Sequence, residues 1–162
     1  ASWVIGSDGA VPQSDNSEIS KAKLATEKYI GAWINRDYKS MYAMESSHVK
    51  REYSQYCKLQ DVWRNKGFRP QNALNIRNLN NINSSIKPIT GINDQQAVTI
   101  LSLVVNSQSA GDLKTKSWPE RVMFFNINIG VSESIMILGL ENKNWQPLTT
   151  PGQLKKQDLG IK

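Results

Sequence analysis

The 162-residue chain reads as an α+β protein, with three N-terminal helices packed on a strongly curved, mainly antiparallel sheet of four or more strands. Three observations predict this class. Between Ser17 and Trp63, apolar residues recur at three- and four-residue spacing, the period of amphipathic helices. Beyond Pro70 the spacing shortens towards two, as strands require. Helices and strands also come in separate blocks, the order of an α+β domain and not of a parallel α/β sheet.

Taken in order, residues 1–16 contain Gly6, Gly9, Pro12 and several Ser and Asp, which predicts a leader or linker around the apolar triplet Trp3-Val4-Ile5. A single domain is expected over residues 17–150. Its first helix carries Ile19, Ala22, Ala25, Tyr29, Ile30, Trp33 and Ile34 on one face, with Asn16 or Ser17 as its cap. Asn35-Arg36-Asp37 interrupts the pattern, and Asp37 is suited to N-cap a short second helix with Tyr38, Met41, Tyr42 and Met44. A third helix is expected from Ser46 or Ser47, with a stripe of Val49, Tyr53, Tyr56, Cys57, Gln60 and Trp63, stopping at Gly67 before Pro70.

Strands follow. Leu74, Ile76, Leu79, Ile82, Ile86 and Ile89 suggest a twisted or bulged first strand, and Ala97–Val105, rich in Val, Ile and Leu, a buried second one. A loop is expected over Ser107–Ser117. In Val122–Ile129 the residues Met123, Phe125, Ile127 and Ile129 oppose Asn126 and Asn128, which predicts a sheet covered on one face and wetter on the other. Ile135–Leu140 and Trp145–Leu148, joined through Glu141-Asn142-Lys143-Asn144, make a final hairpin with Pro147 at an edge. Residues 151–162 read as a polar tail.

The net charge of +6 is local: residues 1–47 balance to −1, residues 48–77 to +5 and residues 78–162 to +2. The candidate partner-binding face is therefore the basic side of the third helix, Lys50, Arg51, Lys58 and Arg64, although a solvated helix face has the same composition. Nucleic acid is a weaker candidate. Tyr53, Tyr56, Trp63 and Phe68 lie among the basic residues, but on a helix they fall mainly on a different face. A single cysteine, Cys57, excludes an internal disulfide and a cysteine-based zinc cluster, and no metal or cofactor is expected. No apolar run reaches the roughly 18–20 residues needed to span a bilayer.

The order of elements resembles the nuclear-transport-factor-2-like superfamily, the cone-shaped fold shared with ketosteroid isomerases. The features that carry the likeness are Ala32-Trp33 followed by Asn35-Arg36-Asp37-Tyr38-Lys39-Ser40-Met41-Tyr42, the consecutive C-terminal strands, and the closing Leu140-Glu141-Asn142-Lys143-Asn144-Trp145. Asn144, where such turns often carry Gly, and the Asn-rich first strand depart from the pattern. The resemblance implies a pocket between sheet and helices, which would be lined by Trp33, Tyr38, Tyr42, Phe125 and Ile127. Some members of the superfamily use the pocket for small molecules and many others use the fold only for interaction; several membrane-tethered members are extracytoplasmic parts of secretion or conjugation machines and of cell-wall enzymes.

Catalytic groups are sparse. The lone histidine, His48, has Glu45 and Glu52 at helical spacing, but the carboxylates from Asp94 onward fall at expected turns, loops and strand ends. Neither a phosphate loop nor a Gly-x-Ser-x-Gly elbow occurs. The expectation is a non-catalytic extracytoplasmic domain that binds another protein of a membrane-associated assembly, or a second copy of itself. The alternative is a small-molecule pocket, enzymatic or not. The opening residue Ala1 and the triplet at Trp3 prompt the extracytoplasmic placement, tethered if an apolar segment precedes them.

Overall fold

The computed structural model describes residues 16–47, 49–64, 82, 85–108, 121–129 and 132–155. Helices α1 (Asn16–Ile34), α2 (Tyr38–Met44) and α3 (Tyr53–Arg64) precede strand β1 (Ile86–Pro88); helix α4 (Asp94–Gln108) follows, then β2 (Val122–Ile129), β3 (Ser132–Glu141) and β4 (Asn144–Pro147). The strands form one antiparallel sheet in the order β1-β2-β3-β4. The class is thus α+β. Residues 1–15 of the expected leader, the expected stop of the third helix at Gly67 and Pro70, the first residues of the Asn-rich strand (Leu74, Ile76, Leu79), the 109–117 part of the expected loop, residues 156–162 and His48 lie outside the described residues.

Local chemistry explains the corner between α1 and α2. The Arg36 N–H donates to the Trp33 carbonyl (3.1 Å) and the Asp37 N–H to that of Ala32 (2.8 Å), the paired bonds of a Schellman cap. Arg36 occupies the left-handed position usually given to Gly, at φ 56°. Asp37 then caps α2 as expected, accepting from the Ser40 N–H (3.2 Å) and the Ser40 hydroxyl (2.6 Å), bonds that hold its carboxyl below the ordinary range. Across this corner the Asp61 carboxylate of α3 accepts from Arg36 (2.7 Å) and the Tyr38 hydroxyl (2.6 Å).

Both faces of the sheet carry a core. On one, Met123, Phe125, Ile127, Met136 and Leu138 pack with Tyr29, Ile30 and Trp33 of α1, Met41 of α2, Tyr56 of α3 and Trp145. On the other, Val122, Phe124, Ile135 and Ile137 pack with Ala97, Ile100, Leu101 and Val104 of α4, together with Val49 and Leu148. The second core corrects two expectations. Ala97–Val105 is helix, not strand, and not all helices are N-terminal. Its buried residues fall at i, i+3, i+4 and i+7, a helical stripe. Its start is fixed by a reciprocal capping box, in which the Gln96 N–H donates to Asn93 Oδ1 (2.8 Å) and the Asn93 N–H to Gln96 Oε1 (3.0 Å). The expected wet face is wet only past this cover, where Asn126 is half-buried and Asn128 exposed.

The third helix also begins later than Ser46 or Ser47, because those residues are engaged elsewhere. The Ser46 N–H donates to the Pro147 carbonyl (2.9 Å), and both serine hydroxyls donate to the Glu141 carboxylate, from Ser46 at 3.0 Å. Residues 45–52 are consequently a connection strapped to the β3–β4 hairpin.

Prolines at Pro88 and Pro147 sit on the two outer strands, where a missing N–H costs least. The part of β3 that outruns β4 is covered by the following segment. The Leu148 N–H donates to the Ile137 carbonyl (2.7 Å), the Ile137 N–H to Thr149 Oγ1 (3.0 Å), and the Ile135 N–H to the Leu154 carbonyl (3.0 Å). Residues 151–154, read from sequence as the start of the tail, are therefore packed, with Pro151 and Gly152 buried. Gly152 is needed here: its φ is +89°, and a Cβ would sit 2.9 Å from the Trp63 carbonyl oxygen.

Candidate functional site

A buried polar cluster lies where α1, α3, the 45–52 connection and the segment after β4 meet. It surrounds a cavity of about 10 Å³, lined among others by Tyr29, Glu45, Arg51, Tyr56, Gln60 and Thr150. The helical period delivers the first groups: Tyr29 on the inward stripe of α1, and Tyr56 and Gln60, one turn apart, on that of α3. Glu45 is placed by the end of α2, where its backbone turns extended and its N–H bonds the Tyr42 carbonyl. Thr150 is placed by the segment that covers β3.

The tyrosine hydroxyls of Tyr29 and Tyr56 are 2.8 Å apart, and the Thr150 hydroxyl donates to Gln60 Oε1 at 2.8 Å. Gln60 is 0% exposed, and its Nε2 has no hydrogen-bond partner. Burial pushes both phenols above their ordinary range, helped by the nearby Glu45 charge. Glu45 is 7% exposed, and burial pushes its carboxyl up to about 8 against the opposing pull of Arg51 and Lys50. The same burial lowers the Arg51 guanidinium, while Glu45 acts to raise it. At neutral pH the Glu45 carboxyl is thus mostly protonated, a donor and not a full counter-charge.

The four basic residues singled out from sequence do not form one face. Lys50 lies in the connection, its Nζ 4.5 Å from the centre of the Tyr42 ring. Arg51 turns inward and lines the cavity. Lys58 is exposed on α3, and Arg64 closes that helix, its side chain outside what is described. The five residues expected to line a pocket are drawn into packing instead. Trp33, Tyr38, Phe125 and Ile127 belong to the core of the first face and Tyr42 packs against it. The Tyr42 ring meets Tyr53 and Tyr56 edge-on, each at 5.2 Å, and its hydroxyl donates to the Arg51 carbonyl.

In the sequence, Glu45 stands out only as a neighbour of His48 and Gln60 only as a member of the apolar stripe. A glutamine within such a stripe was the available signal, since a buried amide must find partners. Glu45, Thr149 and Thr150 had none, because their burial depends on contacts distant in sequence. Among the described residues no group of three or more His, Cys, Asp or Glu is placed to hold a metal ion. Compared with family models, with curated proteins and with solved structures, the chain matches none.

Proposed function

We propose that this chain acts by binding another protein and not by catalysis, as an extracytoplasmic component of a membrane-associated assembly such as a secretion or conjugation apparatus. One observation carries the reading. The polar cavity beside Glu45 offers about 10 Å³, whereas pockets that bind metabolites run to about 300–1,000 Å³. This cavity among the described residues has too little room for a metabolite, so it does not support a small-molecule or isomerase-like role. The cone-like curvature of the nuclear-transport-factor-2-like superfamily stays part of the proposal, supported by the order of α1–α3, the consecutive antiparallel strands β2–β4 and the closing hairpin with Trp145 on its second strand.

The surface favoured for the partner is the outward side of α3. Ser54, Gln55, Lys58 and Val62 are exposed there, with Lys58 and Val62 one turn apart and Val62 49% exposed. An exposed aliphatic beside a lysine supplies contact area and electrostatic steering together, which suits an acidic protein partner. Lys50 adds a second charge from the connection. Arg51, which lines the cavity, is not part of this proposed surface.

The test is the double reversal Lys50→Glu and Lys58→Glu. Both side chains are outside the cores, so the melting temperature should stay within about 2–4 °C of the parent, while capture of the partner by affinity pull-down should fall about tenfold or more. Undiminished capture would remove the basic surface from the proposal. Retention of the parent on random oligonucleotides at low salt, lost as salt rises, would favour nucleic acid in place of a protein.

A further inference from the structure

We propose that the cavity beside Glu45 is a binding site for one buried water molecule, which bridges the Gln60 side-chain amide on α3 to the Glu45 carboxyl at the end of α2. Size is the first argument. About 10 Å³ of space is what a single water needs.

The polar accounting is the second. Gln60 is completely buried, its Oε1 takes the only hydrogen of the Thr150 hydroxyl, and its Nε2 is left with no partner. An unmet buried donor costs about 1–3 kcal/mol, so a cavity with room for an acceptor at that atom will take one. Glu45, 7% exposed, lines the same cavity, and its carboxyl is a second polar group for such a water. A water needs two to four polar partners, and these two groups supply two.

Arg51 lines the cavity and opposes a cation. Water alone accepts from a protonated carboxyl and donates to an ionised one. It also serves the amide in either orientation: rotated by half a turn, Gln60 would present an unmet acceptor in place of a donor. The bridge joins two elements that no direct bond from Glu45 to Gln60 connects, so it acts as a hydrogen-bonded joint between α3 and the strapped connection.

The test is a crystal structure of the full chain at a resolution that orders solvent, grown with bromide, together with water-proton relaxation dispersion in solution. The expected result is one solvent peak within about 2.7–3.2 Å of both the Gln60 amide and the Glu45 carboxyl, with no anomalous signal. The count of long-lived waters in solution should fall by one in Gln60→Leu. An empty cavity in the parent map would overturn the proposal, as would a bromide signal at that position or an unchanged water count in a folded Gln60→Leu protein. The parent crystal and its water count decide the matter even if the variant fails to fold.

Discussion

The two faces of the sheet are built from different materials. The face under α1–α3 is aromatic and mixed with polar groups: Tyr29, Trp33, Tyr38, Tyr56 and Trp145 share its core, and the cavity around Glu45 and Gln60 opens at its margin. The face under α4 is aliphatic apart from Phe124, and from Gln95 to Gln108 its helix carries no charged residue. Three helices tied by hydrogen bonds such as those of Asp61 make the first face. One capped helix makes the second. Specific polar geometry is thus concentrated on one side, while the other is closed by hydrophobic burial.

The largest effect is expected from truncating neighbouring residues of β2 that point to opposite faces. Phe124 and Phe125 are 1% and 0% exposed, so each replacement by Ala should cost about 3–5 kcal/mol in denaturant unfolding. If only the α1–α3 face were packed, Phe124→Ala would be nearly neutral.

The first face was largely legible in the sequence. Its aromatic residues recur at helical spacing opposite charged ones, and Asp37 announces its cap. The second face was not, because Val, Ile and Leu at 97–105 fit a buried strand and a buried helix equally well over so short a run. The deciding signal was the capping pair Asn93 and Gln96, three residues apart, just ahead of that run. The cavity was legible only at Gln60. Glu45 is buried because residues about a hundred positions away strap its connection to the hairpin, and no local pattern encodes that. The place of Arg51 was hidden for the same reason: it belongs to the same strapped connection and lines the cavity.

A second, smaller effect separates the faces by pH. Glu45 has an ordinary value of 4.5 when unfolded and about 8 when folded. Between these values the folded state holds the extra proton, so its contribution is full below about pH 4.5 and is lost as pH rises towards 8. The loss should be of the order of a few kcal/mol. Glu45→Gln, which keeps a neutral polar group, should flatten this slope and be more stable than the parent at pH 8. Equal pH slopes for the two proteins in urea titrations would contradict the burial of this carboxyl.

Removing the cap of α4 by Asn93→Ala should cost about 0.5–2 kcal/mol and leave the α1–α3 face intact, visible as faster amide exchange confined to residues 94–104. The smallest effect is a gain. In the β3–β4 hairpin Asn142 and Lys143 have φ of 51° and 68°, the backbone of a two-residue turn that favours Asn-Gly. Lys143→Gly should therefore stabilise the fold by about 0.5–1 kcal/mol, read as a raised melting temperature.

The functional claim is that the protein works through the outside of α3 and that the opposite face, under α4, is not the working surface. Val62 on α3 and Leu103 on α4 are both exposed, at 49% and 58%, and each can be replaced by a photo-crosslinking phenylalanine without entering a core. Irradiated in the native assembly, the chain should form an adduct with another protein through position 62 and none through position 103. An adduct through position 103 alone would contradict the account.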